Sequence, residues 1–225
     1  MIFRRLRSQL LEIPELSTLG EMVRTAVQYE TYFTALILGW QGAGKTTYAL
    51  KTCAAIYEDW WLALDYLVFF PNRLLRLLKK ANDRGEKIPC IIVDDAGIWL
   101  SKYVYFTKEG KRLITWMDRI LNMARTLCNC IIFTTVYEFD LPKPVREKAK
   151  VTCEVQRISE NESRIIIKQR NLYGKIVETY IDRMRLGIPK PIREEYEERR
   201  RRALSVLLQG LEEQLRSMGY EGDIS

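Results

Sequence analysis

Short apolar runs alternate with helix-like segments through the first two thirds of the chain. Such runs are residues 32–38, 66–70, 90–93 and 130–133, and their length and composition are typical of strands buried on both faces. Between the last two runs, apolar residues recur at steps of three and four, at Leu113, Met117, Ile120, Ala124 and Leu127. This spacing marks one face of a helix. Because a helix that crosses back over the sheet leaves the next strand parallel, the pattern predicts an α/β fold with a mostly parallel sheet between two helical layers.

The pattern changes after Pro142 and Pro144. Residues 151–158, 164–171 and 175–181 alternate apolar and polar positions with turn residues between them, which predicts an antiparallel meander. After Pro191, a strongly charged segment at 193–217 carries a leucine stripe at Leu204, Leu208, Leu211 and Leu215. We therefore predict a helical lead-in over 1–30, a sheet domain over 31–185 that includes the meander at 151–181, and a charged amphipathic helix within 190–225.

The turn after the first predicted strand carries a phosphate-binding pattern. The sequence GWQGAGKT fits GxxxxGK[ST], in which glycines let backbone N–H groups face phosphate oxygens. In that pattern Lys45 reaches the β and γ phosphates and Thr46 offers its hydroxyl to Mg²⁺. The residues expected to hold the nucleotide are Gly39, Gln41, Gly42, Ala43, Gly44, Lys45, Thr46 and Thr47. A glycine turn without a ligand is the alternative, and the flanking strand and helix patterns disfavour it.

Two acidic residues, Asp94 and Asp95, follow the third apolar run. We expect Asp94 to hold the Mg²⁺ shell and Asp95 to orient and deprotonate a water for in-line attack on the γ-phosphate. Thr134 or Thr135, which close the fourth strand, could hydrogen-bond the γ-phosphate or the attacking water. The alternative is that the two aspartates only end a strand or cap a turn before Gly97.

The sequence offers several arginines for stabilising charge in the transition state. Arg146 is our leading candidate, reaching the phosphate of a neighbouring subunit, and Arg119 and Arg125 compete with it. Each is also typical of a solvated surface arginine.

The composition excludes several kinds of catalytic and metal site. The 225 residues include no histidine, which excludes a Ser-His or Cys-His nucleophilic pair and any histidine-ligated metal. The five cysteines are dispersed and lack zinc-ligand spacing, so we expect them to be small core residues. The net charge of +7 favours a polyanionic partner. With no apolar run near ~18 residues and no secretory signal pattern, we expect a cytoplasmic protein without a membrane partner.

Aromatic and cationic residues are interleaved between the acidic pair and the following helix pattern. Bases stack on aromatic rings and phosphates pair with lysines, so we predict nucleic-acid contacts, with DNA as the partner, at Lys102, Tyr103, Tyr105 and Lys108. The alternative is that the aromatic residues belong to the core or an interface and the lysines are solvated.

In these motifs the chain resembles the P-loop ATPases that carry an extra strand and a catalytic acid beside the Mg²⁺-binding aspartate. GWQGAGKTT is similar to the loop of AAA+ proteins, and IIVDDAG to the paired-aspartate form of bacterial replication initiators and helicase loaders. The strands predicted at 151–181, in place of a helical lid, look more like the HerA/FtsK translocases and viral packaging ATPases. Those usually have a glutamate where this chain has Asp95 and a glutamine where it has Thr135. In size and composition the chain is also similar to small ATPases of archaeal viruses and plasmids.

The resemblance, which covers residues 32–150, implies an ATP- and Mg²⁺-dependent hydrolase that acts on DNA. It implies an oligomer, with a hexamer as one form, that works as a motor or remodeller in replication, genome handling or packaging. A nucleotide-switched adaptor or loader that binds a partner protein through the C-terminal helix is the alternative, and a small-molecule P-loop kinase is less favoured. If a virus or plasmid encodes the chain, the expected location is the host cytoplasm.

Overall fold

The computed structural model describes residues 11–100 and 108–218. Its strands are β1 (Phe33–Leu38), β2 (Leu67–Val68), β3 (Ile88–Val93), β4 (Cys128–Thr135), β5 (Ala149–Arg157), β6 (Glu162–Arg170) and β7 (Ile176–Arg185). They form one seven-stranded sheet in the order β2-β3-β4-β1-β5-β6-β7. Strands β1 to β5 are parallel, and β6 and β7 are antiparallel. The predicted α/β class, with a mostly parallel sheet and an antiparallel extension, is confirmed.

One helix precedes β1, others connect the parallel strands, and the last follows the meander. They are α1 (Thr18–Gln28), α2 (Lys45–Tyr57), α3 (Trp60–Asp65), α4 (Pro71–Arg84), α5 (Ala96–Trp99), α6 (Lys108–Met123), α7 (Lys143–Glu147) and α8 (Lys190–Ser217). The sequence pattern does not predict α3 and α7, because their six and five residues are too few to show a helical period. Of the lead-in predicted over 1–30, residues 1–10 lie outside the described part, and α1 forms in the remainder.

The register of the central strands decides which loops meet. Strand β4 lies between β1 and β3, with Leu38 opposite Thr135 and Val93 opposite Phe133. Since the carboxyl ends of parallel strands share one edge of the sheet, the turn after β1, the end of β3 and the end of β4 lie side by side. Open α/β sheets bind ligands at this edge.

Apolar side chains cover both faces of the sheet. On one face, Leu36 packs in a cluster with buried residues of β3, β4, α4 and α6, namely Ile91, Phe133, Leu74, Leu78, Met117 and Leu121. Successive strand residues point to opposite faces, so Ala35 and Ile37, both 0% exposed, face the other side. Helices α1 and α2 pack there with buried residues Val23, Ala49, Leu50 and Cys53. This is the three-layer arrangement that the pattern predicts.

The meander continues the sheet instead of forming a separate layer. Strand β5 pairs in parallel with β1 on one side and antiparallel with β6 on the other. The meander therefore stands directly beside the strand that leads into the phosphate loop.

The described residues divide into two compact units, one ending at Ile188 and the other beginning at Pro189. The second unit contains α8, a helix of 28 residues. Ion pairs one turn apart run along it, between Arg199 and Glu195, Arg202 and Glu198, and Arg216 and Glu212. Its leucine stripe is between 50% and 56% exposed. Among the described residues, no helix combines the length and apolar content needed to cross a bilayer.

Candidate active site

The phosphate loop has a backbone shape that requires glycine at two positions. The φ angle is +149° at Gly39 and +99° at Gly44, a region that strains residues with side chains. Space is also lacking, since a Cβ on Gly39 would lie 2.5 Å from the Val155 carbonyl oxygen and one on Gly44 2.3 Å from Leu186 Cδ2. Backbone angle and close packing therefore both select glycine here.

Lys45 begins α2, and its side chain folds back into the loop. Its Nζ donates hydrogen bonds to the carbonyl oxygens of Gly39 (2.8 Å) and Trp40 (3.0 Å), and the residue is only 7% exposed. The N-terminal N–H groups of a helix and a lysine ammonium both favour an anion. The loop thus combines the backbone and the cation that a phosphate group needs.

The Asp94 carboxylate joins three elements of the sheet edge. The residue is 1% exposed, and its Oδ1 accepts hydrogen bonds from Thr46 Oγ1 (2.8 Å) and Thr134 Oγ1 (2.7 Å). Thr134 Oγ1 in turn accepts a hydrogen bond from the Asp95 backbone N–H (2.9 Å). Because the Thr134 hydroxyl accepts from that N–H, its single proton is directed to Asp94. One chain of hydrogen bonds therefore connects the phosphate-loop helix, β3 and β4.

These oxygen atoms fit a magnesium ion. Mg²⁺ in nucleotide sites takes one or two protein oxygen ligands and completes its shell with phosphate oxygens and water. Thr46 Oγ1 and Asp94 Oδ1, 2.8 Å apart, are the protein atoms of this kind beside the loop. Within the described ranges, no group of three or more His, Cys, Asp or Glu side chains converges as a metal site. A metal here would accordingly depend on a bound nucleotide.

Asp95 differs from Asp94 in backbone and exposure. It is partly exposed, and its φ and ψ of 48° and 41° lie in the left-handed region. Such a conformation costs roughly 1–3 kcal/mol in a residue with a side chain and is concentrated at functional sites. Asp95 precedes α5, yet its side chain makes no capping hydrogen bond to that helix. This geometry disfavours the interpretation of Asp95 as a helix cap.

The two threonines at the end of β4 face different neighbours. Thr134 contacts Asp94, as described above. Thr135 is 3% exposed and lies against α5, where a Cβ on Gly97 would come within 2.7 Å of its Oγ1. Thr134 is therefore the threonine that the fold brings to the acidic pair.

The candidate arginines lie away from the Asp94 hydrogen bonds. Arg146 is partly buried on α7, where its guanidinium stacks over the Phe139 ring at 4.8 Å and its Nε donates to the Leu141 carbonyl oxygen at 3.0 Å. Arg119 and Arg125 are exposed, on and just after α6. A role toward the nucleotide of another subunit stays a prediction for Arg146.

The predicted nucleic-acid residues fall mostly in an undescribed segment. Lys102, Tyr103 and Tyr105 lie outside the described residues. Lys108 is exposed at the first position of α6. Of the remaining loop residues, Gln41 and Gly42 are exposed, Ala43 is buried and Thr47 is partly buried.

The meander supplies contacts to the phosphate loop that sequence reasoning missed. The Ser163 Oγ on β6, at 0% exposure, donates to the Ala43 carbonyl oxygen at 2.7 Å. The Arg157 Nη1 at the end of β5 donates to the Gly42 carbonyl oxygen at 3.3 Å. The pairing of β5 with β1, and of β6 with β5, brings these distant residues to the loop. The available signal for Ser163 was its place two residues before Ile165, in step with the inward-facing apolar positions Ile165 and Ile167.

Exposed aromatic rings mark the outer side of the loop. Trp40, 70% exposed, meets Tyr137, 50% exposed, edge to face with ring centroids 5.3 Å apart. The sequence pattern gave Trp40 no role, because the phosphate-binding motif leaves that position free.

Comparisons with known proteins identify viral relatives. No protein-family model matches the chain. The chain is 32% identical over 219 residues to the uncharacterized protein B-251 of Sulfolobus spindle-shape virus 1, an alignment that covers 88% of this chain and 86% of that protein. It is 33% identical over 151 residues to the uncharacterized protein ORF286 of Acidianus two-tailed virus, covering 67% of this chain. The aligned part spans 51% of that second relative.

Two solved structures also align with the chain. The N-terminal domain of zonular occludens toxin from Neisseria meningitidis aligns with a TM-score of 0.42 and 16% identity over 73% of this chain and 98% of that one. A KaiC-like protein from Pyrococcus horikoshii OT3 aligns with a TM-score of 0.34 and 13% identity over 68% of this chain and 83% of that one. Both TM-scores lie below 0.5, so the assignment to the P-loop NTPase fold rests on the phosphate loop, the acidic end of β3 and the position of β4 between β1 and β3.

Proposed function

This chain belongs to the family of protein B-251 of Sulfolobus spindle-shape virus 1, and we propose that it hydrolyses ATP with the help of Mg²⁺. The observation that carries the proposal is the buried Asp94 carboxylate, which accepts hydrogen bonds from Thr46 and Thr134 beside the partly exposed Asp95. A nucleotide switch needs the phosphate loop and one acid. A second acid placed to act on water is what hydrolysis adds.

Each residue of the site has a distinct part in the proposed reaction. The backbone N–H groups of the loop and Lys45 bind the β and γ phosphates. Thr46 and Asp94 would hold Mg²⁺, which would neutralise charge on the phosphate oxygens. The Asp95 carboxylate orients a water and accepts its proton as the water oxygen attacks the γ-phosphorus and the bond to the β–γ bridging oxygen breaks. Thr134 fixes the positions of the two aspartates relative to each other, because it hydrogen-bonds to the Asp94 carboxylate and to the Asp95 backbone N–H.

Hydrolysis is proposed to serve the handling of DNA by an oligomer. The net charge of +7 favours a polyanion, and Lys108 is exposed at the start of α6. Lys102, Tyr103 and Tyr105 are proposed to complete the contact. Arg146 is proposed to act on the nucleotide of the next subunit, in a hexamer or another ring. Given viral relatives, the proposed location is the cytoplasm of an infected archaeal cell.

The test is ATP turnover by the full chain with Mg²⁺, in the presence and absence of DNA. Asp95→Asn should keep nucleotide binding and lose turnover by roughly a hundredfold or more, because it removes the base but keeps the side-chain size. Lys45→Ala should weaken binding itself. Asp83→Asn, at an exposed acid on α4, is the matched control and should leave turnover unchanged. Absence of hydrolysis by the unmodified chain under all conditions would overturn the proposal.

DNA action requires a separate experiment. Turnover should rise with single-stranded or duplex DNA more than with RNA, and the rise should shrink in Lys102→Ala and Tyr103→Ala. Equal stimulation in these variants and the unmodified chain would remove this segment from the contact.

A nucleotide-switched adaptor is the second candidate, and the half-exposed leucine stripe of α8 favours it. An adaptor would bind a partner protein through this helix and turn over ATP slowly. Replacing Leu208 and Leu211 by glutamate separates the two functions. Lost partner binding with intact DNA-stimulated turnover would indicate a motor with an assembly helix.

A further inference from the structure

Three buried cysteines meet behind the phosphate loop. Cys53 on α2, Cys90 on β3 and Cys130 on β4 are each 0% exposed. Cys90 and Cys130 are register partners on neighbouring strands. The Cys53 Sγ lies 2.7 Å from the Cys90 Sγ, across the contact between helix and sheet. The cluster lies in the core, where the proposed reaction does not use it.

The Cys53–Cys90 contact joins the two elements that carry the candidate site. Helix α2 begins with Lys45 and Thr46, and Cys53 lies two turns further along it. Strand β3 passes Cys90 and ends at Val93, directly before Asp94. A covalent bond between these cysteines would therefore fix the phosphate-loop helix against the acidic strand.

We propose that Cys53 and Cys90 form an intramolecular disulfide that locks α2 onto β3. The sulfur atoms are 2.7 Å apart, so they need to approach by less than 1 Å to reach the ~2.05 Å of an S–S bond. Cys130 is the rival partner for Cys90, but it lies directly opposite on the adjacent strand, whereas Cys53 approaches from the helical layer. Cys128, Cys130 and Cys153 would remain thiols.

The bond forms by thiol–disulfide exchange with a low-molecular-weight disulfide such as oxidised glutathione. While α2 is still undocked, the Cys53 thiolate attacks one sulfur of that disulfide, which releases one thiol and leaves a mixed disulfide on Cys53. As α2 docks, the Cys90 thiolate attacks the Cys53 sulfur and releases the second thiol. The two cysteines lose two electrons and two protons, which reappear in the two released thiols.

Burial sets the order of these steps. In the docked protein, burial raises the pKa of the Cys53 thiol and disfavours its thiolate, so the first exchange takes place while α2 is undocked and Cys53 is in contact with solvent. Once formed, the bond is enclosed by α2 and the sheet. A reductant therefore reaches it only when α2 undocks, and reduced chain is prepared by unfolding and refolding in the presence of a reductant.

Mass spectrometry of the full chain tests the pairing. The chain is refolded in equal concentrations of oxidised and reduced glutathione, its free thiols are alkylated, and it is digested without a reductant. We expect a linked peptide pair that contains Cys53 and Cys90, with Cys128, Cys130 and Cys153 alkylated. Five alkylated cysteines, or a link between Cys90 and Cys130, would overturn the proposal.

Thermal unfolding tests the locking effect, with variants as controls. Oxidised chain should melt roughly 5–15 °C above reduced chain, because the bond closes a long loop. Cys53→Ser should melt at the same temperature with and without a reductant, while Cys153→Ser, at a buried cysteine on β5, should keep the difference. An unmodified chain with equal melting temperatures in both states would contradict the lock. Neither measurement involves a nucleotide, so the result is independent of ATP hydrolysis.

Discussion

A single hydroxyl group at Thr134 sets the relation between the two acidic residues. It accepts a hydrogen bond from the Asp95 N–H and donates one to the Asp94 carboxylate, at 0% exposure. Asp94 is itself only 1% exposed, so solvent is poorly placed to replace this donor. The position therefore demands a hydroxyl, although the surrounding strand is otherwise apolar.

We predict that Thr134→Val, which keeps the side-chain shape, destabilises the protein by about 1–3 kcal/mol because it leaves buried polar groups unsatisfied. It should also lower ATP turnover, since Asp95 loses its backbone anchor. Denaturant unfolding measures the first effect and a phosphate-release assay the second. Thr126→Val, at an exposed threonine whose hydroxyl bonds to the Met123 carbonyl oxygen, is the control. If the two variants were equally stable, the Thr134 hydroxyl would make no particular contribution to the free energy of unfolding.

Alanine substitutions at Gly44 and Gly85 separate the energetic cost of backbone strain from that of steric overlap. Gly44 has φ of +99° with Leu186 Cδ2 2.3 Å from a Cβ, whereas Gly85 has φ of +62° with nothing within 4 Å. Gly85→Ala should cost about 1 kcal/mol from strain alone. Gly44→Ala should cost more than this and weaken nucleotide binding, because the Leu186 side chain must move as well. Unfolding and nucleotide titration measure both. Equal costs would mean that Leu186 moves aside freely.

The positions of the motif residues in the candidate site were predictable because they are set by neighbours in the chain. Lys45 and Thr46 belong to one contiguous loop, and Asp94 ends an unmistakable apolar run. The choice between Thr134 and Thr135 was not predictable, since both close the same strand and only the paired fold shows which one contacts Asp94. Arg157 and Ser163 were missed for a related reason. Their contacts with Gly42 and Ala43 span more than a hundred residues of chain.

At the scale of elements, the meander acts as the wall of the phosphate loop. Its strands contribute the Val155 carbonyl oxygen beside Gly39, the Ser163 hydroxyl on Ala43 and the Arg157 guanidinium on Gly42. The sequence predicted the three strands as an antiparallel extension within the sheet domain but did not predict which strand they adjoin. Their position beside β1 follows from strand pairing, which the alternating pattern does not specify.

Removing the buried contact between the meander and the loop should loosen the loop. Ser163→Ala leaves the Ala43 carbonyl oxygen without this donor, and we expect a loss of about 1–2 kcal/mol in stability and weaker nucleotide binding. Hydrogen exchange of the loop amides should speed up in this variant. Ser205→Ala, on α8, removes a hydroxyl that bonds to the Arg201 carbonyl oxygen and is the control. Unchanged loop exchange in Ser163→Ala would contradict the meander's role as a wall.

At the scale of the whole molecule, charge governs the proposed encounter with DNA. The excess of 36 basic over 29 acidic residues gives the net charge of +7. Many of the charged residues of α8 are paired within that helix, as Arg199 is with Glu195. Most of the excess positive charge of the chain therefore lies outside α8.

We predict that DNA affinity of the full chain falls roughly tenfold or more between 50 and 200 mM salt, because phosphate contacts release counterions. Fluorescence anisotropy with labelled DNA measures the change. Lys108→Ala should reduce the salt dependence, and Lys190→Ala, at an exposed lysine of α8 one turn from Glu194, is the control. Affinity that does not vary with salt would contradict a phosphate-based contact.

The glycines of the phosphate loop also have a mechanical consequence. At Gly39 the loop backbone lies against the backbone of β5, where a Cβ would come 2.5 Å from the Val155 carbonyl oxygen. Packed protein interiors compress very little, so little can absorb a displacement of the loop at this point. Expansion of the loop around a phosphate would therefore shift β5 and, through it, the β6 strand that pairs with β5.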